Sequence, residues 1–223
     1  MVLYHGSKDT VEHPVFGKGK PYNDYGQGFY CTEDPDLASE WAVDKDRDGY
    51  VNAYRLDARG LKTLDLNSDG HTVLHWVSLL VFNRTFDLDT PLSREAFRYL
   101  QSHFRIDTTG YDLIRGYRAD DSYFSYAQDF LNGAISVSQL SNALRLGNLG
   151  EQVMINSQRS FDRLSFTGAS YVTASEWYER KRERDSLARA GYRSMNRSDY
   201  IPGELYMIRI IDEEVGPDDP RIR

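Results

Sequence analysis

The chain is short of cysteine: its 223 residues hold one, Cys31. An internal disulfide is therefore excluded, and the spaced thiols of a zinc site are missing as well. The five histidines are scattered, so metal chemistry is not expected. Excess positive charge is also lacking. Lysine and arginine number 27 against 34 aspartates and glutamates, a formal net charge of -7, which argues against general electrostatic binding to nucleic acid or an anionic membrane. The longest apolar stretch, "VLHWVSLLVF", is too short to span a bilayer. The N-terminus lacks the charged-then-apolar order of a signal peptide, and a soluble cytoplasmic protein with no membrane partner is the expectation. There is no internal repeat and no low-complexity segment. Glycines cluster in "GKGKPYNDYG", but not between a strand and a helix in the G-x-G-x-x-G frame of a dinucleotide fold, and no P-loop occurs.

What is present is an ordinary globular composition, 40% hydrophobic and 27% charged, in a chain long enough to bury a core. Aromatics make up 13%, with 16 tyrosines. Tyrosine joins a flat apolar body to a polar tip, so such a surplus suits a ligand groove. A tyrosine-rich surface is the alternative.

Periodicity and turn formers give the element order. Strands are expected at "MVLYH", "GFYCT", "YVNAYRLDA", "LKTLDL", "YDLIRG", "EQVMIN" and "LSF", with a last one at "ELYMIRII". Asp34 followed by Pro35 opens a helix through "DLASEWAVD", and Thr90 with Pro91 opens another through "TPLSREAFRYLQSHF". Further helices are expected at "TVLHWVSLLVF", "DSYFSYAQDFL", "VSQLSNALRL" with Gly147 as its C-cap, and "ASEWYERKRERDSLARAG". Strands in two groups with helices between them predict an α+β fold rather than alternating βαβ units. One domain over 1–223 is expected, with a helical insertion at about 69–107 and a helix-strand extension at about 171–213.

The opening of the chain carries the strongest functional signal. "YHGS" followed by "GFYCTEDPDLASEWAVD" resembles the NAD-binding half of the diphtheria-toxin class of ADP-ribosyltransferases. "YDLIRG", "ADDSYF" and "LGEQVMI", in that order, make most of the chain similar to an uncharacterised bacterial family of the same clan. The resemblance implies a split β-sandwich with inserted helices, NAD as the ADP-ribose donor, no metal, and a macromolecular acceptor, protein or nucleic acid. A toxin or conflict-system effector with an antitoxin partner would fit. By the same resemblance His5 would bind the adenosine ribose, Gly6 would offer backbone groups to the nicotinamide carboxamide, an approach a side chain there would block, and Ser7 would be among the NAD-binding residues. Tyr30 would stack on nicotinamide, and Trp41 would take the place of a second stacking tyrosine. A cationic aromatic ring held between aromatic faces gains about 0.5–2 kcal/mol per contact.

Cleavage of the glycosidic bond passes through an oxocarbenium-like state that a carboxylate stabilises. The resemblance puts a glutamate at the start of a late strand, and in "NLGEQVMIN" either Glu151 or Gln152 fills that place. Strand side chains alternate, so only one of the two faces the groove. Apolar matching favours Gln152, which can hydrogen-bond a ribose but brings no charge. Asp120 and Asp121, after the "YDLIRG" strand, are then the candidate acids, or one of them caps the following helix, and Arg118 is placed to pair with them or with a pyrophosphate. Two other readings follow: a non-catalytic NAD or ADP-ribose binder, and an NAD glycohydrolase. The run "ERKRERD" is either a solvated helix face or, through Arg180, Lys181 and Arg184, a target-binding surface.

Overall fold

A computed structural model describes residues 1–119, 121–146, 150–194 and 200–222, and of Asp121 and Ser122 the backbone alone. The fold is α+β, with seven strands in two sheets and eight α-helices among the described residues. The first sheet has the order β1 (Val2–Ser7), β3 (Gly49–Leu56), β7 (Leu164–Val172), antiparallel throughout. The second has the order β2 (Phe29–Cys31), β6 (Glu151–Ile155), β5 (Leu113–Tyr117), β4 (Thr63–Asp65). Its edge strand β2 is joined to the first sheet by a single bridge between Tyr4 and Thr32.

Alternation in the strands explains the two layers of core. Leu3 and Leu56 from the first sheet meet Cys31, Leu113, Val153 and Ile155 from the second, forming a small apolar layer. Met154 and Ile114 belong to the other, larger core, which α2 (Val73–Asn83), α3 (Pro91–His103), α4 (Asp121–Leu131) and α5 (Val137–Ala143) cover. Trp76, Tyr123, Tyr126 and Phe130 are buried there, so part of the aromatic surplus is core. Cys31 is fully buried and burial raises its thiol pKa, consistent with an inert packing residue.

Helix starts follow local chemistry. Asp34 accepts the Asp36 and Leu37 N–H groups at the head of α1 (Pro35–Ala42), and Thr90 accepts that of Ser93 at the head of α3. The expected cap at Gly147 lies outside the described residues. Two expectations are corrected. "LSF" extends into the nine-residue β7, because the long β3 offers it a full edge. "ELYMIRII" is not a strand: Met207–Asp212 forms α8, burying Met207 and Ile210 one helical turn apart while Ile208 is exposed. An apolar run that short fits both periods, and here packing against α3 selects the helical one. A one-turn helix, α6 (Gln158–Phe161), was not anticipated, and α7 (Ala174–Ser194) forms as expected. No described helix is long and apolar enough to cross a membrane.

Candidate functional site

Residues 8–28 link β1 to β2 and line one side of a cavity of about 660 Å³ beside that edge strand. Buried side chains pin the linker. Asn52, fully buried on β3, accepts the Val11 N–H at 2.7 Å and donates to Ser7 Oγ at 2.9 Å and the His5 carbonyl at 3.2 Å. Tyr54 donates its hydroxyl to the Val11 carbonyl. The Gln27 amide donates to the Gly17 and Gly19 carbonyls at 2.7 and 2.9 Å, which ties the glycine-rich turn back onto the start of β2.

Five of the predicted residues converge on this cavity: His5 and Gly6 from β1, Tyr30 from β2, Trp41 from α1 and Gln152 from β6. The His5 ring donates from Nδ1 to the Tyr30 carbonyl at 2.7 Å, since a carbonyl only accepts, and Nε2 is then an acceptor. Burial lowers the His5 pKa, which favours this neutral form. The Tyr30 hydroxyl is fully engaged, donating to the Gly26 carbonyl at 2.7 Å and accepting the Tyr25 N–H at 3.0 Å. Its ring, not its hydroxyl, is what Tyr30 offers a ligand. Trp41 reaches the cavity with the Arg118 guanidinium carbon 5.1 Å from its ring centroid, so one indole face carries a cation.

Gly6 has a second reason to lack a side chain. A Cβ there would lie 2.0 Å from the Ala38 carbonyl oxygen and 2.7 Å from the Ala42 nitrogen, so α1 packs directly on the β1 backbone. Ser7 does not line the cavity; it donates to the Asp9 carbonyl at 2.6 Å and anchors the linker.

The adjacent pair on β6 is separated by the pleat. Gln152, 3% exposed, faces the cavity. Glu151 faces the other way, into a separate recess of about 300 Å³ with Thr32, Glu33, Asp34 and Arg115. There it accepts from Arg115 Nε and Asn67 Nδ2, both at 2.6 Å. Asp120 lies outside the described residues, as does the side chain of Asp121, so neither can be placed at the cavity.

The structure adds a carboxylate that the sequence reading missed. Asp24, 5% exposed, lines the cavity from the linker. Its Oδ2 accepts from Gln152 Nε2 and from the Ala119 N–H, both at 2.9 Å, and its Oδ1 pairs with Arg84 at 2.8 Å. Burial pushes its carboxyl above the usual range, and these donors pull against that shift. Nothing in "PYNDYG" distinguishes Asp24 from an ordinary turn residue. Lys18, Lys20 and Arg84, also missed, bring further positive charge to the cavity wall beside Arg118. Among the described residues no group of three or more His, Cys, Asp or Glu is arranged to hold a metal ion.

The site thus joins a neutral imidazole, aromatic faces, a buried amide-carboxylate pair and several cations, a set suited to a ligand with anionic groups and a flat ring. No curated protein and no solved structure matches the chain. A family model described as "Protein of unknown function (DUF3990)" matches residues 1–166, which include every described residue of this cavity. The chain belongs to the DUF3990 family of proteins of unknown function.

Proposed function

We propose that the cavity binds NAD and that the protein transfers its ADP-ribose to a macromolecular acceptor. The observation that carries this reading is the convergence of His5, Tyr30 and Trp41, from three separate elements, on one cavity of about 660 Å³. The residues present fit the molecule. His5 Nε2 is an acceptor for a ribose hydroxyl, Tyr30 offers a ring to nicotinamide, and Lys18, Lys20, Arg84 and Arg118 supply charge for the pyrophosphate. The two sheets, meeting at the Tyr4–Thr32 bridge beside the cavity, agree with the split sandwich of the ADP-ribosyltransferase clan. A toxin or conflict-system effector held by an antitoxin is the matching biological role.

One observation favours a second reading, a non-catalytic NAD or ADP-ribose binder: the cavity-facing position of β6 holds an amide, Gln152, and not a glutamate. Calorimetric titration with NAD, followed by incubation with labelled NAD and a lysate, separates the readings. Label fixed to a macromolecule supports transfer. Nicotinamide release without fixed label marks a glycohydrolase, and binding without either marks the binder. Absence of NAD binding at millimolar concentration overturns the proposal.

A further inference from the structure

We propose that Asp24 is the charge-stabilising catalytic residue of this cavity and that Gln152 is its positioning residue, an inference that rests on the cavity being an NAD site. Bond cleavage there needs negative charge near the ribose, and a neutral amide cannot supply it. Glu151 is excluded by the pleat, since its side chain lies in a different recess, against Arg115 and Asn67. Asp24 is the one carboxylate among the described residues that line the cavity.

Four elements meet there. Asp24 comes from the linker before β2, Gln152 from β6, Ala119 from the end of β5 and Arg84 from the end of α2. Burial raises its pKa and the donors it receives pull back toward the ionised form; Arg84 offsets part of that charge, and in so buried a place what remains acts with little screening by water. The Gln152 amide contributes orientation: its Nε2 donates to Oδ2 at 2.9 Å and also to the Tyr117 carbonyl of β5 at 3.4 Å. An acid on a loop gains in this way the rigidity of a sheet.

The bond between ribose C1 and the nicotinamide nitrogen breaks, and its electron pair leaves with the ring, which becomes neutral. C1 takes a lone pair from the acceptor's oxygen or nitrogen, and the acceptor's proton passes to solvent. Asp24 exchanges no proton or electron; it opposes the positive charge that grows on the ribose while the bond lengthens.

The test compares wild type, Asp24→Asn, and the double variant Asp24→Asn/Gln152→Glu, which exchanges acid and amide across one hydrogen bond. NAD affinity by calorimetry, nicotinamide release and melting temperature are read for each. Asp24→Asn should bind NAD within about threefold of wild type while release falls about a hundredfold or more. The double variant should recover about a tenth or more of the wild-type rate, which restored packing alone cannot do. Release unchanged in Asp24→Asn, or lost only in proportion to NAD binding or melting temperature, overturns the proposal. A wild type that binds NAD yet releases no nicotinamide also overturns it, leaving the binding site intact. If Asp24→Asn fails to fold, a folded, NAD-binding double variant without release overturns it equally. A wild type that does not bind NAD brings down the reading of the cavity itself.

Discussion

Glu151 and Gln152 are neighbours in sequence and belong to different environments. Glu151 is partly exposed, ion-paired with Arg115 and hydrogen-bonded by Asn67, on the side of the second sheet that faces the first. Gln152 is buried on the helix-covered side, where its amide meets a carboxylate from a loop 128 residues away in the chain. The lesson is that an acidic letter in a motif-like position can be a surface charge, while the cavity draws its acid from elsewhere. One residue of register decides which, because the strand period is two.

The covered side of the second sheet is most sensitive at Gly116, which pairs with Gln152 across the β5–β6 ladder. A Cβ there would lie 2.6 Å from the Tyr25 hydroxyl, which donates to the Tyr117 carbonyl. Gly116→Ala is expected to cost about 3–4 kcal/mol and lower the melting temperature by about 10 °C. Calorimetric melting checks this, and an unchanged Tm would show that the covered side is looser than its packing implies.

Acid provides a milder probe of the same covered side. Burial, with His71 beside it, lowers the pKa of His75 on α2 from 6.5 to about 4. Between those values the unfolded chain holds the proton and the folded one does not, so stability rises with pH. His75 therefore favours folding least at low pH: about 3 kcal/mol is lost as pH falls from about 6.5 to about 4. Denaturant melts at pH 7 and pH 4.5 on wild type and His75→Gln measure it. Equal pH slopes for the two proteins would remove His75 from the account.

Truncating the β6 pair tests the contrast directly. Gln152→Ala leaves Asp24 without one donor and opens a small void, so a loss of about 2 kcal/mol is expected, together with weaker NAD binding. Glu151→Ala removes a partly exposed ion pair, with an expected cost of about 0.5 kcal/mol and no change in NAD binding. Chemical denaturation and NAD titration of both variants decide; a larger effect at Glu151 would reverse the assignment of faces.

Much of the fold was legible because its signals are local. Asp34 and Thr90 cap where a short oxygen side chain precedes a proline-opened helix. The alternation in "YVNAYRLDA" and "EQVMIN" places β3 and β6. The misreading of "ELYMIRII" came from a run too short to separate the two periods, settled by burial of Met207 and Ile210. Of the basic run on α7, Glu176–Arg180 and Glu179–Arg182 behave as helix-face pairs. Arg184 instead turns inward to pair with Glu40 on α1, which spacing along one helix cannot reveal.

The sequence by itself determined most of the elements and four residues that line the cavity, because His5, Gly6, Tyr30 and Trp41 fall within one short stretch. Only the tertiary structure decided where the buried acid lies. Asp24, Arg84, Ala119 and Gln152 are scattered over more than half the chain, and their hydrogen bonds form only when the linker, α2, β5 and β6 close on one another. A side chain's local sequence can fix its element, but its burial and its partners are properties of the packed whole.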